Sequence, residues 1–374
     1  MTTIKNALII GGGFAGMSAA IQLRKIGVSV DLAEKDPEWT VLGAGITLAA
    51  QTLRAFDTIG VAQAIAKEGF LADGLDLFDS AENLITQIQT PKPVGSDYTG
   101  GGILRPDLAR ILAEKMEQEG VRVFLGKCYE SFSEDDSGVA VSFADGDIWK
   151  YDLVIAADGV HSTIRSKLFP EAPQPEYLEQ VCWRAVLDRP EHITKPTFWM
   201  GPVGKVGVNP ISDTKMYMFI NEHRPDQERI ERSQWAEKMK AFLAPFSAPT
   251  LKALLPQFDQ DIHLDYRPLH NLLLPRPWYK GRIVLIGDAV HATTPHLASG
   301  ACIGVESAIV LAEEIERHST VQDALNAFEE RRWDRCRLVV ENSERLLRIE
   351  NGEGDKAEHG KLMGMSMHAL AQPI

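Results

Sequence analysis

The sequence predicts an α/β protein in which strand–helix alternation opens the chain, short strands fill its middle and a long helix comes near its end. Three observations carry that expectation. Residues 7–10 are a short apolar run that stops at Gly11-Gly12-Gly13, and a helical pattern follows at once. Residues 180–187, 197–200, 205–208 and 215–221 are strand-like runs separated by Pro and Gly. Residues 321–350 place Leu325, Phe328, Cys336, Val339 and Leu346 at spacings suited to one packed helix face.

Residues 7–10 read as a buried strand, residues 14–25 as a helix closed by Gly27, and residues 28–33 as a second strand ending at Glu34. Gly11, Gly13 and Gly16 form G-x-G-x-x-G between strand and helix. Gly11 permits a sharp turn, Gly13 lets the backbone approach a pyrophosphate, and Gly16 lets the helix pack on the strand. The helix N-terminus then offers free N–H groups and a favourable dipole to phosphate. Glu34 lies 23 positions past Gly11, where an acid accepts hydrogen bonds from ribose hydroxyls. Glycine spacing alone is a weak signal; the order strand, motif, helix, strand and acid is what predicts a Rossmann-like unit for an adenine dinucleotide. At this point FAD and NAD remain equal alternatives.

Composition narrows the function classes. The chain has 374 residues, enough for about two domains or one large discontinuous one. A hydrophobic fraction of 44% with 24% charged residues excludes disordered and fibrous architectures. A net charge of −13 repels phosphate backbones and anionic lipid, so neither nucleic acid nor membrane is an expected partner. No apolar run reaches the roughly 18 residues a membrane span needs, and the N-terminus does not read as a signal peptide. Cys128, Cys182, Cys302 and Cys336 are scattered with no C-x-x-C pair, which predicts reduced thiols in a cytoplasmic enzyme. His291 and His296 are the only histidines within five residues of each other, and they lack an H-E-x-x-H setting, so no metal is expected.

Two further motifs follow strand-like runs. Residues 151–157 lead into Asp158-Gly159, with Arg165 downstream, and residues 281–286 lead into Gly287-Asp288-Ala289-Val290-His291, with Pro295 and Ser299-Gly300-Ala301 beyond. With these the sequence resembles the group A flavoprotein monooxygenases, the single-component aromatic hydroxylases such as salicylate hydroxylase and 6-hydroxynicotinate 3-monooxygenase. That family carries a glycine fingerprint, then a central D-G motif with an Arg, and a late G-D motif with a Pro. The resemblance covers most of the sequence and selects FAD as the dinucleotide. It implies an FAD-binding domain from residues 1–72, 99–175 and 276–350, a β-sheet substrate domain from residues 73–98 and 176–275, and a loosely ordered polar tail at 351–374. Fingerprint and resemblance together set Gly11, Gly13, Phe14, Ala15, Gly16, Glu34, Lys35, Gly45, Arg105, Asp158, Arg165, Gly287, Asp288, Pro295, Ser299, Gly300 and Ala301 against FAD. One departure stands out: Ala298-Ser299-Gly300 occupies the place of the family's common Gly-Gln-Gly. Gly100-Gly101-Gly102 follows no buried strand and reads as a flexible loop before a helix at residues 106–118.

The implied chemistry is hydroxylation. NADH or NADPH reduces the flavin, O2 adds to give a hydroperoxide, and an oxygen atom passes to a small electron-rich aromatic substrate. A general base assists if the substrate must ionise, and Tyr217 and His223 are the candidates, against core packing and a solvated turn as their plain roles. Period-two alternation sets Met216, Met218 and Ile220 on one face and Tyr217, Phe219 and Asn221 on the other, without saying which faces inward. Cys182, Trp183 and Arg184 are candidates for the pocket wall, Arg184 for a substrate carboxylate. A monomer or homodimer is expected. A flavin-dependent halogenase is disfavoured, because the seven tryptophans include no W-x-W pair. A reductase or dehydrogenase of an alkene or prenyl substrate and a non-catalytic FAD-binding redox module stay as alternatives.

Overall fold

The computed structural model describes residues 4–40, 43–202, 204–228, 230–258 and 262–374. The strand Asn6–Ile10 lies inside a six-stranded sheet ordered Tyr279–Lys280, Ile283–Leu285, Leu153–Ala156, Asn6–Ile10, Ser29–Glu34, Arg122–Leu125. All pairings are parallel except that of Tyr279–Lys280 with Ile283–Leu285. Parallel strands covered on both faces read as continuous apolar runs, and Ala7, Leu8, Ile9, Val154 and Ile155 are all at 0% exposure. The helix Phe14–Lys25 covers this sheet and packs against helices Gly300–Arg317 and Arg105–Gln118. The sheet order has a direct consequence. Asn6–Ile10, Leu153–Ala156 and Ile283–Leu285 are parallel neighbours, so the three motifs that follow them emerge side by side along one edge.

A seven-stranded sheet forms the second layer, in the order Leu264–Asn271, Glu176–Asp188, Lys215–His223, Gly204–Pro210, Thr197–Gly201, Leu75–Phe78, Leu84–Ile88. It is antiparallel except where Thr197–Gly201 meets Leu75–Phe78. Trp183, Met216, Met218 and Ile220 point from one face into a core shared with Met239, Leu243, Leu251 and Leu254 of helices Trp235–Leu243 and Pro249–Leu254. Cys182, Arg184, Tyr217, Phe219 and Asn221 point from the other face into a cavity. Burial of the methionine face therefore decides the orientation that alternation left open.

Four expectations need correction. Gly100–Leu104 is a buried strand, not a flexible loop, and pairs with Gly45–Ala49 and Phe70–Leu71. Backbone crowding explains its glycines: a Cβ on Gly101 would lie 2.4 Å from the Phe70 carbonyl, and one on Gly102 2.5 Å from that of Pro210. The run at 151–157 is divided between Ile148–Tyr151 of a three-stranded antiparallel sheet and Leu153–Ala156, because Asp152 turns to accept the N–H groups of Lys5 and Asn6 at 2.7 and 3.1 Å. The run at 281–286 starts instead with a hairpin turn, where Gly281 takes φ 56° between Tyr279–Lys280 and Ile283–Leu285.

The polar tail is the fourth correction. Lys356–Ala371 is a helix whose N-cap Asp355 accepts the Ala357 N–H. Its residues Leu362, Ser366 and Leu370, four apart, are buried as one stripe. Arg54 and Arg335 donate to the carbonyls of Leu370, Ala371 and Ala369, holding the helix end that the backbone leaves unsatisfied. Among the described residues no helix is long and apolar enough to cross a membrane.

Candidate active site

The glycine turn has the geometry its motif requires. Gly11 takes φ 109°, and a Cβ there would meet the Ala157 carbonyl at 2.3 Å. A Cβ on Gly16 would lie 2.1 Å from the Gly11 carbonyl, so helix and strand touch backbone to backbone. Gly13, by contrast, faces open space, and as N-cap it leaves the first turn of the helix without a side-chain cap. That combination is a backbone cradle with its donors exposed. Glu34 accepts from the N–H groups of Gly12 at 2.7 Å and Asp36 at 2.9 Å, which fixes its carboxylate at the end of its strand. Lys35 is exposed and outside the cavity lining. Arg105 lies over the Phe14 ring at 5.0 Å. Burial, with Arg184 and Arg267 nearby, pushes its pKa down to about 10, against the pull of Asp288.

The D-G and G-D motifs are joined through Arg165. Asp158 Oδ2 accepts the N–H groups of Thr163 and Ile164 at 3.0 and 3.3 Å, capping helix Thr163–Leu168. Arg165 is buried and donates to the Val160 carbonyl and to that of Ala289, each at 2.9 Å. It thus braces the second motif against the third. Asp288 begins the short helix Asp288–His291 after Gly287, whose φ is 64°. Asp288 lines the cavity and is solvent-exposed, although protein packs closely around its carboxylate. Desolvation by that packing raises its pKa, opposed by His291 and Arg105. Pro295 starts a 3-10 turn, Ala298 takes φ 48°, and Ser299 Oγ donates to the Leu297 carbonyl at 2.7 Å. Helix Gly300–Arg317 then begins without a side-chain cap.

Between these turns and the seven-stranded sheet lies a cavity of about 530 Å³, a size typical of small-molecule sites. Gly13, Phe14, Ala15, Gly45, Arg105, Gly287, Asp288, Pro295, Ser299, Gly300 and Ala301 all line it. Tyr217 lies in the roof, with its hydroxyl against Thr47 Oγ1; Thr47 Oγ1 accepts from Asn209 Nδ2 at 3.0 Å, which leaves the Thr47 proton free for the Tyr217 oxygen. Burial raises the Tyr217 pKa, outweighing Thr47 and Arg184, so the phenol stays protonated and acts as a donor. Arg184 lies 3.3 Å from Asp265. Trp183 points away, its indole donating to Glu222 at 2.9 Å. His223 is not brought to the cavity: it is exposed at the end of its strand, 3.5 Å from Glu179. Alternation puts it on the cavity face, but the strand outruns the cavity by that point.

Sequence reasoning missed Thr47, Asn209, Lys205, His296 and Met363. Lys205 lines the cavity, and His296 follows the motif proline directly. That adjacency was the one readable signal among them. The cavity fits an extended dinucleotide on two counts. Gly13 is open where phosphates would approach, and Arg105 Nε, in the cavity wall, is buried without a hydrogen-bond partner among the described residues. Glu34, Asp158 and Arg165 are not among the residues that line the cavity. Among the described residues no group of three His, Cys, Asp or Glu could hold a metal.

Three motif turns gathered on one edge of a parallel sheet, beneath an antiparallel sheet with an aromatic inner face, define a dinucleotide-dependent oxidoreductase. Residues 5–343 match the family described as FAD binding domain, and the protein belongs to it, within the group A flavoprotein monooxygenases. It is 30% identical over 365 residues to aurachin C monooxygenase/isomerase of Stigmatella aurantiaca, covering 94% of this chain and 91% of that one. It is 28% identical over 356 residues to the FAD-dependent urate hydroxylase of Klebsiella pneumoniae, covering 93% and 91%. The crystal structure of an arginine-to-glutamine variant of Klebsiella pneumoniae HpxO with FAD aligns at TM-score 0.83 and 25% identity, covering 98% of this chain and 94% of that one.

Proposed function

We propose that this protein uses NADH or NADPH and O2 to hydroxylate a small electron-rich aromatic or heteroaromatic substrate, with FAD as its cofactor. The observation that carries this reading is the convergence of the three motif turns on one cavity roofed by Tyr217, Phe198 and Phe219. When bound, the flavin supplies the redox chemistry, accepting a hydride and activating O2 so that one oxygen atom enters the substrate and the other leaves as water.

The protein's own residues bind, orient and exclude water. Gly13 and the N–H groups after it would hold the diphosphate, Glu34 the adenosine ribose, Asp288 the ribityl hydroxyls, and the uncapped N-terminus of Gly300–Arg317 the ring edge where negative charge collects. Arg165 acts through the backbone by bracing the two motif turns. The aromatic roof keeps water from the reacting atoms. Tyr217, accepting from the Thr47 hydroxyl, keeps its own proton to donate to the substrate in this scheme, and is not its base. The FAD-dependent urate hydroxylase is named for a nitrogen heterocycle, which supports the substrate class.

The test is oxygen uptake and NAD(P)H oxidation by the FAD-loaded protein against phenols, hydroxypyridines, hydroxyquinolines and uric acid. A hydroxylating enzyme consumes NAD(P)H and O2 in equal amounts with the product formed. Substrate conversion without O2 uptake points to a reductase, and FAD binding without stimulated oxidation points to a redox module. Asp288→Ala is expected to weaken FAD binding at least about tenfold, since it removes a carboxylate that would accept hydrogen bonds. Unchanged affinity in a fluorescence titration would remove Asp288 from the site.

A further inference from the structure

The cavity needs a group that takes and returns protons, and few of its wall residues qualify. Tyr217 is held protonated, Asp288 is assigned to the ribityl hydroxyls, Lys205 is paired with Glu350, Arg105, Arg184 and Arg267 are cations, and His270 sits beside His161 and Tyr177. His296 is different. It lies in the cavity wall with its side chain fully buried, and both ring nitrogens have partners. Nδ1 lies 2.9 Å from the hydroxyl of Thr294, itself a cavity residue. Nε2 lies 3.4 Å from Glu350 Oε2. The amide nitrogen of Asn221 lies 3.5 Å from the same nitrogen while its Oδ1 has no partner among the described residues; with the amide turned over, Oδ1 gains a partner and becomes a second acceptor for a proton on Nε2.

Glu350 is itself fixed from three sides. Lys205 Nζ lies 2.5 Å and His359 Nε2 3.1 Å from its Oε1, while His296 approaches Oε2. Burial works against ionisation of Glu350, but Lys205 and the two histidines outweigh it and hold its pKa well below the usual range. An ionised carboxylate only accepts, so the proton of a neutral His296 ring belongs on Nε2, and Nδ1 is left as the free base towards Thr294.

On the reading proposed above, we propose that His296 holds and returns protons for the cavity through the Thr294 hydroxyl, with Glu350 as the positioning residue that fixes its tautomer. As a bound hydroxyl gives its proton to Thr294 Oγ1, the Thr294 proton passes to Nδ1, and the Nε2 proton stays on the ring facing Glu350. The return runs the same path backwards, so no atom is gained or lost. The charges facing His296 are Glu350 from the long helix, Lys205 from the sheet and His359 from the C-terminal helix. Burial lowers the His296 pKa, Glu350 opposes this, and Lys205 and His359 add to it.

Nitrogen NMR of histidine-labelled, FAD-loaded protein tests the pair directly. The wild-type His296 ring is expected as the Nε2–H tautomer. In Glu350→Gln it should become a tautomer mixture, with its pKa lower by about one unit or more, whereas Lys205→Met should raise it. The midpoint potential of bound FAD, followed from about pH 4.5 to pH 9, should change slope at the His296 pKa and move with it in both variants. That break should vanish in His296→Asn. A tautomer indifferent to Glu350→Gln overturns the positioning role, and a potential indifferent to His296 overturns the proton-holding role. Failure to take up FAD would instead sink the proposed function, while the same NMR titration on the FAD-free protein still decides the pair.

Discussion

Ala298 shows how a single residue can carry strain at a ligand-facing turn. It adopts φ 48° and ψ 30° immediately before the helix that points at the cavity. A left-handed backbone costs a residue with a Cβ about 1–2 kcal/mol, which glycine avoids. Glycine also loses more entropy on folding, by about 0.5–1 kcal/mol, so part of that gain is given back. Ala298→Gly is therefore expected to stabilise the protein by roughly 0.5–1 kcal/mol in urea denaturation. Destabilisation would mean that the methyl group packs usefully enough to outweigh the strain. The sequence showed the departure from Gly-Gln-Gly; only the backbone torsion shows that it falls where glycine is favoured.

Elements were legible where turn residues mark their ends or where packed positions recur along the chain. The helix Phe14–Lys25 is bounded by Gly13 and Gly27, although every residue from Gly16 to Leu23 is buried between the sheet and its neighbouring helices. The long helix Val321–Glu350 shows in the recurrence of its buried residues. Both have the bounds that the sequence predicts. Gly100–Leu104 was missed because its glycines answer to Phe70 and Pro210, contacts that sequence spacing does not encode. The C-terminal helix was missed for a related reason: its grip is polar and comes from remote residues. Glu306, with no exposure, is shared by Arg332 at 3.1 Å, Arg335 at 2.7 Å and Arg54 at 3.6 Å. With three guanidiniums on one carboxylate, Arg54 and Arg335 turn their remaining donors to the carbonyls at the end of Lys356–Ala371. The negative end of the helix dipole adds to that attraction. Leu370 then seals the contact at 0% exposure. Leu370→Ala is expected to cost about 2–5 kcal/mol, as in any well-packed core. A loss under about 0.5 kcal/mol would describe a loosely attached tail instead. Since Met363 lines the cavity, the same variant should also loosen the substrate end.

At the scale of the whole molecule, gathering three motif turns on one sheet edge draws titratable groups into the interior. His291 is the clearest case: one turn beyond the G-D motif, it has no exposure and lies 3.1 Å from Ser307 Oγ. Burial and the nearby Arg332 push its pKa down to about 4, with Asp288 opposing. In the unfolded state, histidine titrates near its ordinary value, about 6.5. Between those two values the unfolded state binds the extra proton, so stability rises with pH there and falls as the solution is acidified. The loss should begin as pH drops through about 6.5, grow to roughly 3 kcal/mol near pH 4, and then level off for this group. His296, also lowered by burial, acts in the same direction. Urea denaturation of the FAD-free protein at several pH values checks this, with His291→Gln as the comparison. The wild-type protein should lose stability between about pH 6.5 and 4.5 more steeply than the variant, which cannot take up that proton. Parallel curves would show that His291 is protonated in the folded state, and that Glu306, not Arg332, dominates its surroundings.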